Sequence, residues 1–80
     1  MQAQDIQALL EAKLESCEVN VQGDGSHFDI TVIGLMFDGL RAVKKQQLVY
    51  AVLSEEIASG AIHAVNMKLY TPQEWAQQTN

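Results

Sequence analysis

Residues 18–34, EVNVQGDGSHFDITVIG, constrain the fold more than any other stretch of the chain. Val19 and Val21 alternate with polar neighbours, and Phe28, Ile30 and Val32 do the same further on. A period of two puts each set on one face of a strand. Between them GDGS, residues 23–26, brings two glycines that accept positive φ, so the two strands are predicted to form a β-hairpin.

The flanks read as helices that can pack on such a sheet. AQDIQALLEAKLES, residues 3–16, carries Ile6, Leu9, Leu10 and Leu14 on one helical stripe. After the hairpin, LMFDGL reads as an irregular link containing Gly39. Residues 41–59 read as one helix with Val49, Val52, Leu53 and Ile57 as its apolar stripe, and Gly60 follows at the C′ position. Residues 62–69 read as a third strand whose apolar row is His63, Val65, Met67 and Leu69. TPQE then places Thr71 at an N-cap, Pro72 at the first helical position and Glu74 three residues after the cap. That capping box opens a short last helix whose Trp75 is expected to pack against the sheet.

The order is thus α-β-β-α-β-α. A helix links strands two and three, so these strands are expected to be parallel through a right-handed crossover. The fold class is α+β: a three-stranded mixed sheet with helices packed on it. Residues 1–80 read as one small domain, and a chain of 80 residues buries only about 60% of its unfolded surface.

Composition narrows the function. The formal net charge of −5 argues against polyanion binding by the whole surface. Cys17 is the one cysteine, so no intramolecular disulfide exists. No charged-then-apolar leader and no apolar run of about 18 residues is visible, and a cytoplasmic location is the expectation. Two histidines and one cysteine are too few for a structural zinc site built from His and Cys alone.

His63 admits two readings: a core histidine bonded to a backbone carbonyl, or a metal ligand at the mouth of the sheet. His27 opens strand two as His63 opens strand three, so parallel strands would bring both to one end. Imidazoles suit Zn, Cu and Fe, and two of them would leave a site for a partner to complete. Cys17 reads as a small apolar filler. Arg41, Lys44 and Lys45, at i, i+3 and i+4, share one helical face that either meets phosphate or an acidic partner or is simply solvated. Two glycines in VIGLMFDGL are too little for a nucleic-acid loop. No nucleophile–base or carboxylate pair stands out, so an enzyme is not expected.

GDGSHFDITVIGLMFDGL, VYAVLSEEI and GAIHAVNMKLYTPQEW together resemble the BolA family, over roughly residues 5–76. VKKQQLVY is similar to its IbaG (YrbA-like) subgroup; typical members carry Arg-His-Arg where this chain has Lys44-Lys45-Gln46-Gln47. The resemblance implies a fold like class II KH domains. It also implies work with a monothiol glutaredoxin, in which a 2Fe-2S cluster is shared between the partners. The glutaredoxin and its glutathione offer thiolates, and the BolA-type chain offers the histidine of Ile-His-Ala, here His63. A second ligand in the family comes from the loop between the first two strands, and the imidazole near that loop here is His27. Alone, the chain would hold no cofactor. The resemblance further implies roles in iron homeostasis, acid stress and transcription regulation. The competing functions are nucleic-acid binding through residues 41–47 and a plain adaptor whose histidines are structural.

Overall fold

The computed structural model describes residues 1–79. Its elements are α1 (Ala3–Lys13), β1 (Glu18–Asp24), β2 (His27–Ile33), a 3-10 turn (Leu35–Phe37), α2 (Ala42–Val52), α3 (Ser54–Ala58), β3 (Ala64–Tyr70) and α4 (Pro72–Thr79). The sheet order is β1-β2-β3, with β1 and β2 antiparallel and β2 and β3 parallel. This is the expected α+β mixed sheet, with the central helix in two pieces and a 3-10 turn before it.

The alternation works as expected. Val19, Val21, Phe28, Ile30 and Val32 are buried on one face of the sheet, where Ile6 and Leu10 of α1, Leu14 just past its end and Val49 of α2 meet them. Phe37 from the 3-10 turn joins the same core, so the irregular link is anchored by one aromatic ring. Each large aliphatic side chain fully buried there contributes about 1.5–3 kcal/mol. The hairpin is tighter than GDGS suggested. Gly23 and Asp24 belong to β1, Asp24 pairs with His27, and only Gly25 and Ser26 make the turn. Gly25 has φ +62, and positive φ at the first central residue alone marks a II′ turn.

Three sequence expectations change. The helix predicted over 41–59 breaks at Leu53, whose φ of −98 and ψ of 11 lie in the bridge region. The break keeps Leu53 wholly in the core, and Ile57 falls on the exposed side instead of extending the stripe. The strand predicted from Ile62 starts at Ala64, because the Ile62 N–H still donates to the Glu56 carbonyl at 3.1 Å. His63 therefore lies outside the apolar row. The first helix ends at Lys13, three residues short of the predicted stop, before Ser16 at φ +60.

The capping box forms as read. Thr71 Oγ1 accepts from the Glu74 N–H at 3.1 Å, and Glu74 Oε1 accepts from the Thr71 N–H at 2.8 Å. No helix is long and apolar enough to cross a membrane among the described residues.

Candidate functional site

The parallel ladder pairs His27 with Ala64, so β2 and β3 do begin at the same end of the sheet. His63 stands one residue ahead of that register, level with Ser26 in the hairpin turn. The Ser26 carbonyl accepts from the His63 N–H at 2.9 Å and from the Ala64 N–H at 3.1 Å. One turn carbonyl thus clamps the backbone that carries His63. Gly60, at φ +86, ends α3 in the conformation that glycine adopts without strain. A Cβ on Gly60 would lie 3.8 Å from His63 Nε2, so the imidazole runs alongside this glycine.

His63 is exposed, and Ile62 takes the buried place beside it. The core-histidine reading is therefore overturned. His27 is exposed too, on the sheet face opposite the core, with Asp29 two residues along. The structure brings both histidines to one rim, next to one turn. Among the described residues, no group of three or more His, Cys, Asp or Glu side chains is placed to hold a metal. What this rim offers is imidazole nitrogen reachable from outside.

Cys17 lies at the other end of the sheet. Its sulfur packs against Gly34, where a Cβ would overlap Sγ, and burial pushes its thiol up from the ordinary value of 9.0. A protonated, packed thiol is a poor nucleophile or ligand, which fits the filler reading.

The basic triplet does not hold together. Arg41 and Lys44 are exposed at the start of α2. Lys45 turns inward, is buried, and its Nζ donates to Glu74 Oε1 at 3.0 Å. Its charge serves an internal pair between α2 and α4. The remaining two cations flank a shallow apolar groove that includes Leu40, Ala42 and Val43. Because Glu74 follows the last residues of β3, this helix start sits at the opposite end of the sheet from His27 and His63.

Sequence reasoning missed a cleft on the open face of the sheet. Glu18, Asn20, Thr31 and Ile33 line it together with Trp75, which is half-buried. Trp75 meets Tyr70 with ring centroids 5.4 Å apart at 52°. The signal was present in the strands' polar parity, since Glu18, Asn20 and Thr31 alternate with the core residues.

Known proteins resemble the chain over nearly all of this architecture. Acid stress protein IbaG of Escherichia coli K12 is 52% identical over 77 residues, covering 96% of this chain and 92% of that protein. The DNA-binding transcriptional regulator BolA of Vibrio cholerae is 45% identical over 56 residues, covering 70% of this chain and 52% of that protein. A solved bolA protein homologue from Coxiella burnetii superposes with a TM-score of 0.84 at 35% identity, covering 95% of this chain and 97% of that one. The profile of the BolA-like proteins matches residues 3–74, from the first residue of α1 to the glutamate of the capping box. On sequence and fold together, the chain belongs to the BolA family.

Proposed function

We propose that the chain is a non-enzymatic partner of a monothiol glutaredoxin and that His63 supplies one ligand to a 2Fe-2S cluster held between the two proteins. The observation that carries this reading is the rim itself: an exposed imidazole beside Gly60, on backbone clamped by the Ser26 carbonyl. The donor set fits a shared cluster. Such clusters take four terminal ligands, thiolates or imidazoles, and this rim offers at most two imidazoles, so the partner and its glutathione bring thiolates. His27 is the candidate second donor from this chain. When bound, the cluster supplies electron-transfer and iron-delivery chemistry; imidazole in place of thiolate raises its potential.

The chain's own contribution is positional. The Ser26 carbonyl fixes where the His63 Cα stands, and the close approach of Gly60 leaves one flank of the ring free of a neighbouring side chain. A proton and iron compete for the same nitrogen lone pair, so ligation weakens in acid. That direction agrees with the acid-stress name of the E. coli relative.

Co-expression with a monothiol glutaredoxin tests the reading through the visible absorption and circular dichroism of the purified pair. His63→Ala is expected to leave the protein folded and the partner bound, and to change or abolish the cluster spectrum. His27→Ala should change it less. A wild-type spectrum at equal iron content in the His63→Ala pair would remove His63 as a ligand.

A second reading rests on Arg41 and Lys44, exposed beside the groove at the start of α2, and on the DNA-binding name of the Vibrio relative. It requires DNA binding that falls with salt and is lost in an Arg41→Glu/Lys44→Glu variant.

A further inference from the structure

We propose that the cleft between Trp75 and the open face of β1 and β2 seats one arginine side chain of a basic segment from a partner polypeptide. The cleft holds about 500 Å³, walled by the Trp75 indole and Ile33 and floored by Asn20 and Thr31. Glu18 is its one ionisable lining residue. An aromatic face beside a carboxylate with no cation in the lining selects a cationic, flat group. A guanidinium can meet the indole and the Glu18 carboxylate at once, because it stacks on indole while its fork donates two parallel hydrogen bonds to a carboxylate. An ammonium is compact and strongly hydrated, and gains less from such a slot. The net charge of −5 draws a basic segment toward the chain.

The occupant is a polypeptide because the cleft does not end at one side chain. Asn20 and Thr31 also line an adjoining trough of about 300 Å³, which continues over Gln22, Asp29 and Asn66. The Asn66 amide donates to Asp29 Oδ1 at 3.0 Å, so one oxygen of that carboxylate is already engaged. The Asn20 and Gln22 amides offer donors and acceptors to a peptide backbone lying along the trough. Lys68 also lines the trough and disfavours a second cation there, which limits the preference to a single arginine rather than a polybasic run. The arginine cleft itself lies at the end of the sheet away from His63, and the trough runs from it toward the His27 end.

Trp75 is the chain's one tryptophan, so its fluorescence reports on the cleft directly. The full chain is titrated with acetyl-Gly-Arg-Gly-amide, with its lysine and citrulline counterparts, and with free arginine, while amide shifts locate the binding. The arginine peptide is expected to give a saturable change centred on Asn20, Thr31 and Trp75. Lysine and free arginine should bind more weakly, and citrulline, equal in shape but neutral, should not saturate. Glu18→Gln, at an exposed position, should keep the fold and weaken the arginine peptide about tenfold. Equal binding of citrulline, unchanged affinity in Glu18→Gln, or shifts centred elsewhere would overturn the proposal. Free arginine binding as tightly as the peptide would overturn the polypeptide assignment.

Discussion

Lys45 of α2 and Glu74 of α4 meet at 3.0 Å, with the lysine side chain 11% exposed and the glutamate side chain 48% exposed. The same Glu74 oxygen accepts the Thr71 N–H at 2.8 Å. One carboxylate oxygen therefore ties the start of α2, the end of β3 and the cap of α4 together.

The two neighbouring lysines should behave differently. Lys44→Glu changes an exposed charge and is expected to move the melting temperature by no more than a few degrees. Lys45→Ala removes a buried stem and a charge-assisted hydrogen bond, at about 1–3 kcal/mol. In a domain of this size that lowers the melting temperature by roughly 5–20 °C. Thermal melts of the two variants side by side check the contrast; equal shifts would contradict the geometry.

Acid should act through Glu74. The Thr71 N–H first, then the Lys45 ammonium, hold its carboxyl below the ordinary value of 4.5. A depressed folded value means that its stabilisation is present above the ordinary value and is lost as pH falls through the folded one. Glu74→Gln should therefore melt below the wild type at pH 7, and the gap should close as pH drops below about 4.5. Melts of both proteins between neutral and strongly acid pH give the test. A gap that stays constant would mean that the carboxylate's charge contributes nothing.

Gly34 and Cys17 should couple. Gly34 has φ −164, so alanine fits its backbone, but the added methyl would overlap Cys17 Sγ. Gly34→Ala is expected to cost about 1–3 kcal/mol through overpacking. Cys17→Ala removes the sulfur, and the double variant should recover most of that loss. A denaturant double-mutant cycle measures the coupling, and strictly additive costs would show that the sulfur rotates away freely.

Trp75 is half-buried, which lowers what its removal should cost. Trp75→Ala is expected to lose about 1–3 kcal/mol, less than the 3–5 kcal/mol of a fully buried aromatic. Urea unfolding followed by far-ultraviolet circular dichroism, which does not need the indole, measures this.

Much of this molecule was legible because the information is local. Val19, Val21, Phe28, Ile30 and Val32 reveal the sheet's buried face through simple alternation, and Thr71 with Glu74 reveals a helix start within four residues. Lys45 was not legible. Its inward turn depends on Glu74, 29 residues later, and a helical pattern alone cannot say which exposed-looking lysine has a distant carboxylate waiting. Ile57 failed for a related reason. A stripe that includes Ile57 assumes a straight helix, whereas the break at Leu53 rotates the next turn outward. His63 stands at the rim, as its neighbourhood in the sequence suggests, but outside the apolar row, because the strand begins only after the loop has released its last bond to Glu56. The open-face cleft needed three elements at once, and no single window contains them.

The parallel pairing of β2 with β3 also dictates when the His63 rim comes into being. Asp24 meets His27 across a two-residue turn, so the hairpin can close within microseconds. Ala64 meets the same His27 only after the 36 residues between them have been gathered in, and the entropy of that closure must be met before its contacts give anything back. The Ser26 carbonyl therefore exists as half of a clamp well before His63 arrives to complete it. In this order of events the rim is a late product of folding, and partial opening of β3 would dismantle it while the hairpin stays intact.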